Sequence, residues 1–263
     1  MPLFDGLEGF ENVSPVLQWA IFIVGVLILV VAAFSICVSI WLSWKYIRFN
    51  RKKNSANMTG KQVARTLLDK NGLKNIKVSS WGSLTFGNSY SHYFKKVRLR
   101  RLTLNKKSIT SIAMATEKTA LAVMDKEGDA DMKTRIRLTP LIYWGPLAFI
   151  PLIVVGLIID LILFNFTGVV TTIFAAIGLL FYVISFVLSI KVLKTEIKAQ
   201  KKAIQMLKAE NMATGEEIDM ITELYKIYNI QYVNDIIMAF LEMILRVLRF
   251  IANTQNSKST SND

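Results

Sequence analysis

The chain has 263 residues, 52% of them hydrophobic and only 19% charged, with a formal net charge of +13. Soluble domains carry about a quarter charged residues, and a mean hydropathy of +0.39 sets this chain apart from them. One cysteine, Cys37, and one histidine, His92, exclude a disulfide framework, a Cys-ligated zinc knuckle, any two-histidine metal site and every HExxH motif.

Three segments concentrate the hydrophobicity. Val16 to Trp44 runs without a charge, Leu141 to Phe164 is apolar apart from Asp160, and Val169 to Ile190 is uncharged. A hydrocarbon core ~30 Å thick needs roughly 20 helical residues, so each segment predicts a spanning helix. The expected fold class is a mainly α-helical multi-pass membrane protein, with three transmembrane helices and a small α+β cytoplasmic domain. In chain order the expected parts are an outer N-terminus (1–15), a first span (16–44) and a basic cytoplasmic domain (45–140). A transmembrane hairpin (141–190), cytoplasmic amphipathic helices (191–252) and a polar, disordered tail (253–263) follow. No internal repeat is visible.

The leader carries Asp5, Glu8 and Glu11 rather than basic residues, and its apolar run is too long for a signal core, so the first span is expected to be retained. Lys45, Arg48, Arg51, Lys52 and Lys53 follow it, which predicts the N-terminus outside and residue 45 onward in the cytoplasm of a bacterial cell. Asn165 to Gly168 forms the expected outer tip of the hairpin. Lys191, Lys194, Lys198, Lys201 and Lys202 mark a second cytoplasmic exit. Residues 45–140 hold 22 basic and 6 acidic side chains, whereas residues 194–263 hold 9 of each.

Within 45–140, Thr59 to Asn71 predicts a helix, with Thr59 as N-cap, a stripe of Val63, Leu67 and Leu68, and Gly72 as the stop. Ile76 to Ser80 and Tyr93 to Leu104 predict short strands, separated by Gly82, Gly87 and Asn88. Ile109 to Met124 returns to helical spacing. Beyond the hairpin, Thr195 to Ala209 continues the third span as a basic amphipathic helix. Ile230 to Ala252 is a further amphipathic helix whose Asp235, Glu242, Arg246 and Arg249 argue against a span. It is expected to pack on the domain or lie at the membrane interface.

Two acids fall on unexpected faces. On the helix after the third span, Lys194, Lys198, Lys201, Gln205 and Lys208 share one side, while Glu196 points the other way beside Ala199, Ala203 and Leu207. The helix 109–124 is apolar almost all round yet contains Glu117 and Lys118, with Asp125 just beyond. An unpaired buried carboxylate is costly. Either these acids escape to water at helix edges, or the core holds a charged centre.

Met58-Thr59-Gly60, Val63-Ala64-Arg65, Leu68-Asp69 and Asn71-Gly72-Leu73 resemble the opening helix of the membrane-bound neutral zinc metallopeptidases of the YugP type. His92-Tyr93, Val97-Arg98-Leu99 and Asn105 to Ser108 are similar to that family's strand region, and the hairpin and Thr195-Glu196 also fall where the family has them. The register runs without a gap from Val97 to Glu127-Gly128. It lays the family's zinc motif, HEVGHA, on Glu117-Lys118-Thr119-Ala120-Leu121-Ala122. The resemblance thus implies a metallopeptidase-like domain in which Glu117 and Leu121 stand for the two histidine ligands and Lys118 for the general base. Glu196 keeps the third-ligand position. Zinc is the family's cofactor; with these replacements no catalytic residue, metal or other cofactor is expected here. Lys118 could then bridge Glu117 and Glu196 as a structural ion pair, or pair instead with Asp125.

The leading functional reading is a catalytically degenerate membrane scaffold that binds a protein partner or membrane-protein client. A hydrolase using Glu117, Asp125 and Glu196 around a harder ion is the alternative. A transporter or channel subunit is disfavoured, since the spans carry one charge and no broken helix beyond Gly145-Pro146 and Pro151. Lys95, Lys96, Arg98, Arg100 and Arg101 are expected to face anionic lipid headgroups; no nucleic-acid module is visible, and none is expected as a partner. His92 reads as a surface or packing residue, and Asp160 as an acid one helical turn from the interface.

Overall fold

The computed structural model describes residues 13–163 and 168–260. The expected leader, the tail end 261–263, and the hairpin tip apart from Gly168 lie outside the described residues. The architecture is mainly helical with one small sheet, and the chain separates into two units. A mixed unit comprises Val38–Thr139 and Ile190–Tyr232. A helical unit comprises Met1–Cys37, Pro140–Ser189 and Val233–Asp263. Four long helices contribute residues to both: α1 (Pro15–Arg51), α6 (Ala130–Leu163), α7 (Val169–Ala209) and α8 (Gly215–Thr260).

In the mixed unit, α2 (Gly60–Lys70) begins with a reciprocal capping box. The Gln62 amide donates to the Thr59 hydroxyl at 3.2 Å, and the Thr59 amide donates to Gln62 Oε1 at 2.8 Å. Gly72, at φ +67°, supplies the left-handed residue that ends the helix. Arg65 then ties down the following turn by donating to the Ile76 and Leu73 carbonyls at 2.6 and 3.0 Å. At the other end of α2, Gly60 lies so close to the chain that an added Cβ would stand 2.2 Å from the Thr103 carbonyl oxygen.

Three strands follow, β1 (Lys77–Ser79), β2 (Ser89–Ser91) and β3 (Lys96–Arg98), with a four-residue helix α3 (Ser83–Phe86) between the first two. The sheet order is β1-β3-β2, β1 parallel and β2 antiparallel to β3. Tyr93 to Leu104, expected as one strand, divides into a turn, β3 and the short helix α4 (Arg101–Asn105). Lys95 at φ +44° makes the turn, and Asn88 accepts the Arg100 amide at 2.7 Å, drawing the chain out of the ladder after β3.

The core gathers around α5 (Ile109–Lys126), which Ser108 caps by accepting the Ser111 amide at 3.1 Å. Val63, Leu67 and Leu68 of α2, Ala199, Ala203 and Leu207 of α7, and Ile221 and Leu224 of α8 belong to one buried cluster with it. Small residues on both α5 and α7 allow the close approach. The helix α8 starts at Gly215, earlier than expected, because Thr214 and Glu217 form a second capping pair. Glu217 accepts the Thr214 amide at 2.9 Å and the Ser55 amide at 2.7 Å.

In the helical unit, large apolar side chains face outward, among them Leu29, Val30, Ile162, Leu163 and Leu180. Among the described residues, α1 and α7 are long and apolar enough to cross a membrane, and Ile150–Leu163 of α6 is a shorter apolar stretch. Gly156 lets α6 and α7 approach, since a Cβ there would lie 2.9 Å from Thr171 Cα. Asp160 is buried rather than reaching outward. It accepts the Val170 and Thr171 amides at 3.2 and 2.6 Å and the Thr171 hydroxyl at 2.5 Å. Those donors are the orphan amides of the first turn of α7.

Beyond Tyr232 the segment expected as an amphipathic helix packs on apolar helices of its own unit. Phe240 stacks on Phe186 with centroids 5.1 Å apart, and the Arg246 guanidinium lies 5.6 Å from the Tyr182 ring. Leu245, Leu248 and Ala252 join Val13, Leu17 and Ile21 of the first helix and the residue leading into it. These contacts run α8 antiparallel to α7, and its apolar stripe finds apolar partners while Arg246 and Arg249 stay exposed. The tail expected to be disordered from Asn253 continues this helix to Thr260, because extending an existing helix is far cheaper than nucleating one.

The close contact at Gly60 makes a prediction. Gly60→Ala forces a backbone shift and should destabilise the mixed unit by about 1–3 kcal/mol, more than the ~1 kcal/mol expected for loss of the cap in Thr59→Ala. Chemical unfolding of the detergent-solubilised protein checks the order; equal midpoints for Gly60→Ala and the parent would contradict the packing.

Candidate functional site

From Ile109 to Met124 every residue of α5 except Lys118 is buried, so the ions there are neutralised with help from neighbouring helices. Lys118 Nζ lies 3.0 Å from Glu117 Oε2 on its own helix and 3.2 Å from Glu196 Oε2 on α7. Arg135, from the first turns of α6, donates to the other Glu196 oxygen at 2.6 Å. Gln200, one turn after Glu196, donates to Glu117 Oε1 at 3.1 Å, and Asn229 of α8 donates to Gln200 Oε1 at 2.8 Å. All four carboxylate oxygens therefore have a donor. The result is a balanced cluster of two acids and two bases joining α5, α6 and α7, with α8 attached through amides.

The environment splits the two acids. Burial raises the Glu117 carboxyl above its ordinary 4.5, and neighbouring Lys118 only partly offsets this. Burial also pushes Glu196 up, but the charges of Lys118 and Arg135 and their hydrogen bonds outweigh it and bring the group down to about 2. Lys118 is pulled down by burial and up by both carboxylates; the carboxylates win, so it stays an ammonium. Burial raises Tyr225 as well, with the Glu117 charge adding to it, and its hydroxyl donates to the Ala113 carbonyl at 2.6 Å.

Asp125 is not part of this cluster. It accepts from the Tyr90 hydroxyl at 2.6 Å and sits 2.6 Å from His92 Nδ1, with Lys95 at 4.0 Å. His92 thus packs the strand turn against the end of α5, while Leu121 is fully buried in the apolar core. On the outer side of α7, Lys194 pairs with Asp131, Lys198 with Asp129 and Lys202 with Glu127. These exposed pairs add little energy each, but they hold the helix in register with its Glu196 face inward. Arg135, Gln200 and Asn229 join the cluster from positions where the sequence pattern predicts no site residue. Only Gln200 carries a local signal, its i+4 spacing from Glu196.

A cavity of about 330 Å³ opens beside the cluster, lined by Tyr46, Asn88, Arg100, Met114, Leu193, Tyr228, Asn229 and Tyr232 together with Glu117, Lys118, Glu196 and Gln200. Among the described residues no three His, Cys, Asp or Glu side chains come together as a metal-ligand set. Zinc asks for nitrogen, sulfur or oxygen donors about 2.0–2.3 Å away. Here an ammonium stands between the two carboxylates and Leu121 offers no donor, so the residues present do not suit zinc.

Long apolar helices together with a buried charged centre suit a membrane-associated protein, and its class comes from comparison with known proteins. The chain belongs to the family described as "Putative neutral zinc metallopeptidase", whose model matches residues 23–252. Among curated proteins it is 23% identical over 222 residues to the "Putative membrane protease YugP" of Bacillus subtilis (strain 168), covering 81% of this chain and 92% of that protein. No solved structure matches the chain.

The cluster separates three substitutions. Lys118→Ala removes the cation beside Glu117 and one of the two beside Glu196 and should cost about 3 kcal/mol or more, whereas Glu117→Gln keeps an acceptor for Lys118 and should cost about 1 kcal/mol or less. Glu196 has a depressed folded value, so it contributes stability above pH 4.5 that is lost as pH falls towards 2. Glu117, with its value raised, works in the opposite sense over the acid range, its ionisation costing stability as pH rises. Glu196→Gln should therefore destabilise strongly at neutral pH and flatten the loss of stability below pH 4.5. Urea midpoints measured across pH test this; an unchanged midpoint in Lys118→Ala would refute the cluster's role.

Proposed function

We propose that this chain is a catalytically degenerate member of its family, a membrane scaffold that holds a polypeptide client without cutting it. The observation that carries this reading is the Lys118 ammonium between Glu117 and Glu196, on the helix where the resemblance lays the zinc motif. Metal-assisted peptide hydrolysis needs about three ligands, a bound water and a carboxylate to take its proton. A lysine held protonated cannot accept that proton, a leucine cannot coordinate, and the acids are saturated by cations and amides. The active alternative lacks its third acid, since Asp125 is engaged by Tyr90 and His92. What the cavity offers instead is phenol rings for apolar side chains and Asn88, Asn229 and Arg100 for peptide polar groups.

The proposed setting is a bacterial cell membrane, with three spans at 16–44, 141–164 and 169–190, the N-terminus outside and the mixed unit cytoplasmic. The basic residues after the first and third spans support this orientation. The antiparallel contacts of α8 with Tyr182 and Phe186, and its reach to Ser14 through Gln255 at 3.3 Å, favour a fourth crossing that carries the C-terminus outward.

Elemental mass spectrometry of protein purified without chelator should give metal well below one per chain; stoichiometric zinc would overturn the reading. The triple variant Glu117→His, Lys118→Glu, Leu121→His, with Glu196 left in place, should gain about one zinc per chain. For the topology, a phosphatase reporter fused after Asp263 should be active outside the cell. A reporter active only in the cytoplasm would leave α8 on the inner side.

A further inference from the structure

We propose that the outward face of the three-stranded sheet docks on anionic phospholipid headgroups of a bilayer. Strand register puts Lys77 beside Lys96, and Ser79 and Ser89 beside Arg98. These residues share one face, because Val78, Tyr90 and Val97, one position along each strand, point to the core. Two exposed aromatic residues flank the cations. Lys96 Nζ stands 4.7 Å over the Trp81 ring, and the Arg98 guanidinium, itself buried, lies 5.5 Å from the Phe94 ring, so Lys77 and Lys96 are the accessible cations of this face. Trp81 is 73% exposed, Phe94 69% and Leu84, at the tip of α3, 98%. The charge is one-sided as well: no Asp or Glu occurs between Asp69 and Glu117, a stretch holding ten Lys and Arg residues.

Cations beside amphipathic rings are what a bilayer surface selects, since rings settle at headgroup depth while lysines reach phosphates. A fully exposed leucine fits the acyl boundary and has nothing to offer a nucleic-acid base, which favours lipid over RNA. The chain's own apolar helices supply the bilayer at high effective concentration. The surface is separate from the Lys118 cluster and operates whether or not the chain binds a client.

The test uses the full chain with Cys37→Ser and Leu84→Cys, the new thiol carrying an environment-sensitive fluorophore. The protein is placed in nanodiscs of phosphatidylcholine with or without phosphatidylglycerol. Anionic discs should shift the emission to the blue and allow quenching by headgroup nitroxide lipids. High salt should reverse both, as the screening length shortens to about 3 Å at 1 M. Lys77→Gln and Lys96→Gln should each weaken docking about fivefold. Phe94→Ser, which leaves the charge intact, should weaken it too and guards against a folding defect in the lysine variants. Identical emission in neutral and anionic discs would overturn the proposal. So would emission that responds to single-stranded RNA and not to phosphatidylglycerol.

Discussion

A charge placed in a helix with no solvent face has to be answered from outside that helix, and the Lys118 cluster is that answer. Glu117 and Lys118 sit next to each other on α5, but their carboxylate and ammonium are completed only by Glu196 and Gln200 on α7 and Arg135 on α6. The cluster therefore fastens three helices at one point by groups that have no good alternative partner. Desolvation makes each ion expensive alone, so the arrangement is stable only as a set. The small residues Ala113, Ala199 and Ala203 belong to the same design, because the helices must come close for such short side chains to meet.

That set also holds in place the helix on which the resemblance lays the family's zinc motif. A divalent ion between buried carboxylates organises helices electrostatically as well as catalytically. In this chain the Lys118 ammonium supplies the positive charge between Glu117 and Glu196. The outer ladder of α7 with Asp129, Asp131 and Glu127 then orients the helix cheaply from the solvent side. The cavity beside the cluster has an aromatic and amide lining.

Much of this was legible in the residues, for local reasons. Thr59 and Gln62 announce a capping box, Val63, Leu67 and Leu68 a stripe, and the long uncharged runs announce their helices. The acids on apolar faces flagged Glu117 and Glu196 because periodicity alone says which side a residue occupies. The remainder depends on contacts distant in sequence. Arg135 lies ahead of the apolar stretch of α6 with nothing nearby to mark it, and Asp125 meets Tyr90 and His92 more than thirty residues upstream. Three-residue strands are too short to show alternation, so the division of Tyr93 to Leu104 was hidden. The Thr214–Glu217 capping pair marks the start of α8 well ahead of the amphipathic stretch that begins at Ile230.

The buried carboxylate of Asp160 has a consequence for how the polypeptide is made. Its partners, the Val170 and Thr171 amides and the Thr171 hydroxyl, are synthesised about ten residues after it. Until the start of α7 has emerged, an inserting α6 presents this acid without those donors. A chain ending between α6 and α7 would leave these three contacts unmade, whereas a chain carrying both helices makes them together. Asp160 thus ties the completion of one helix to the start of the next.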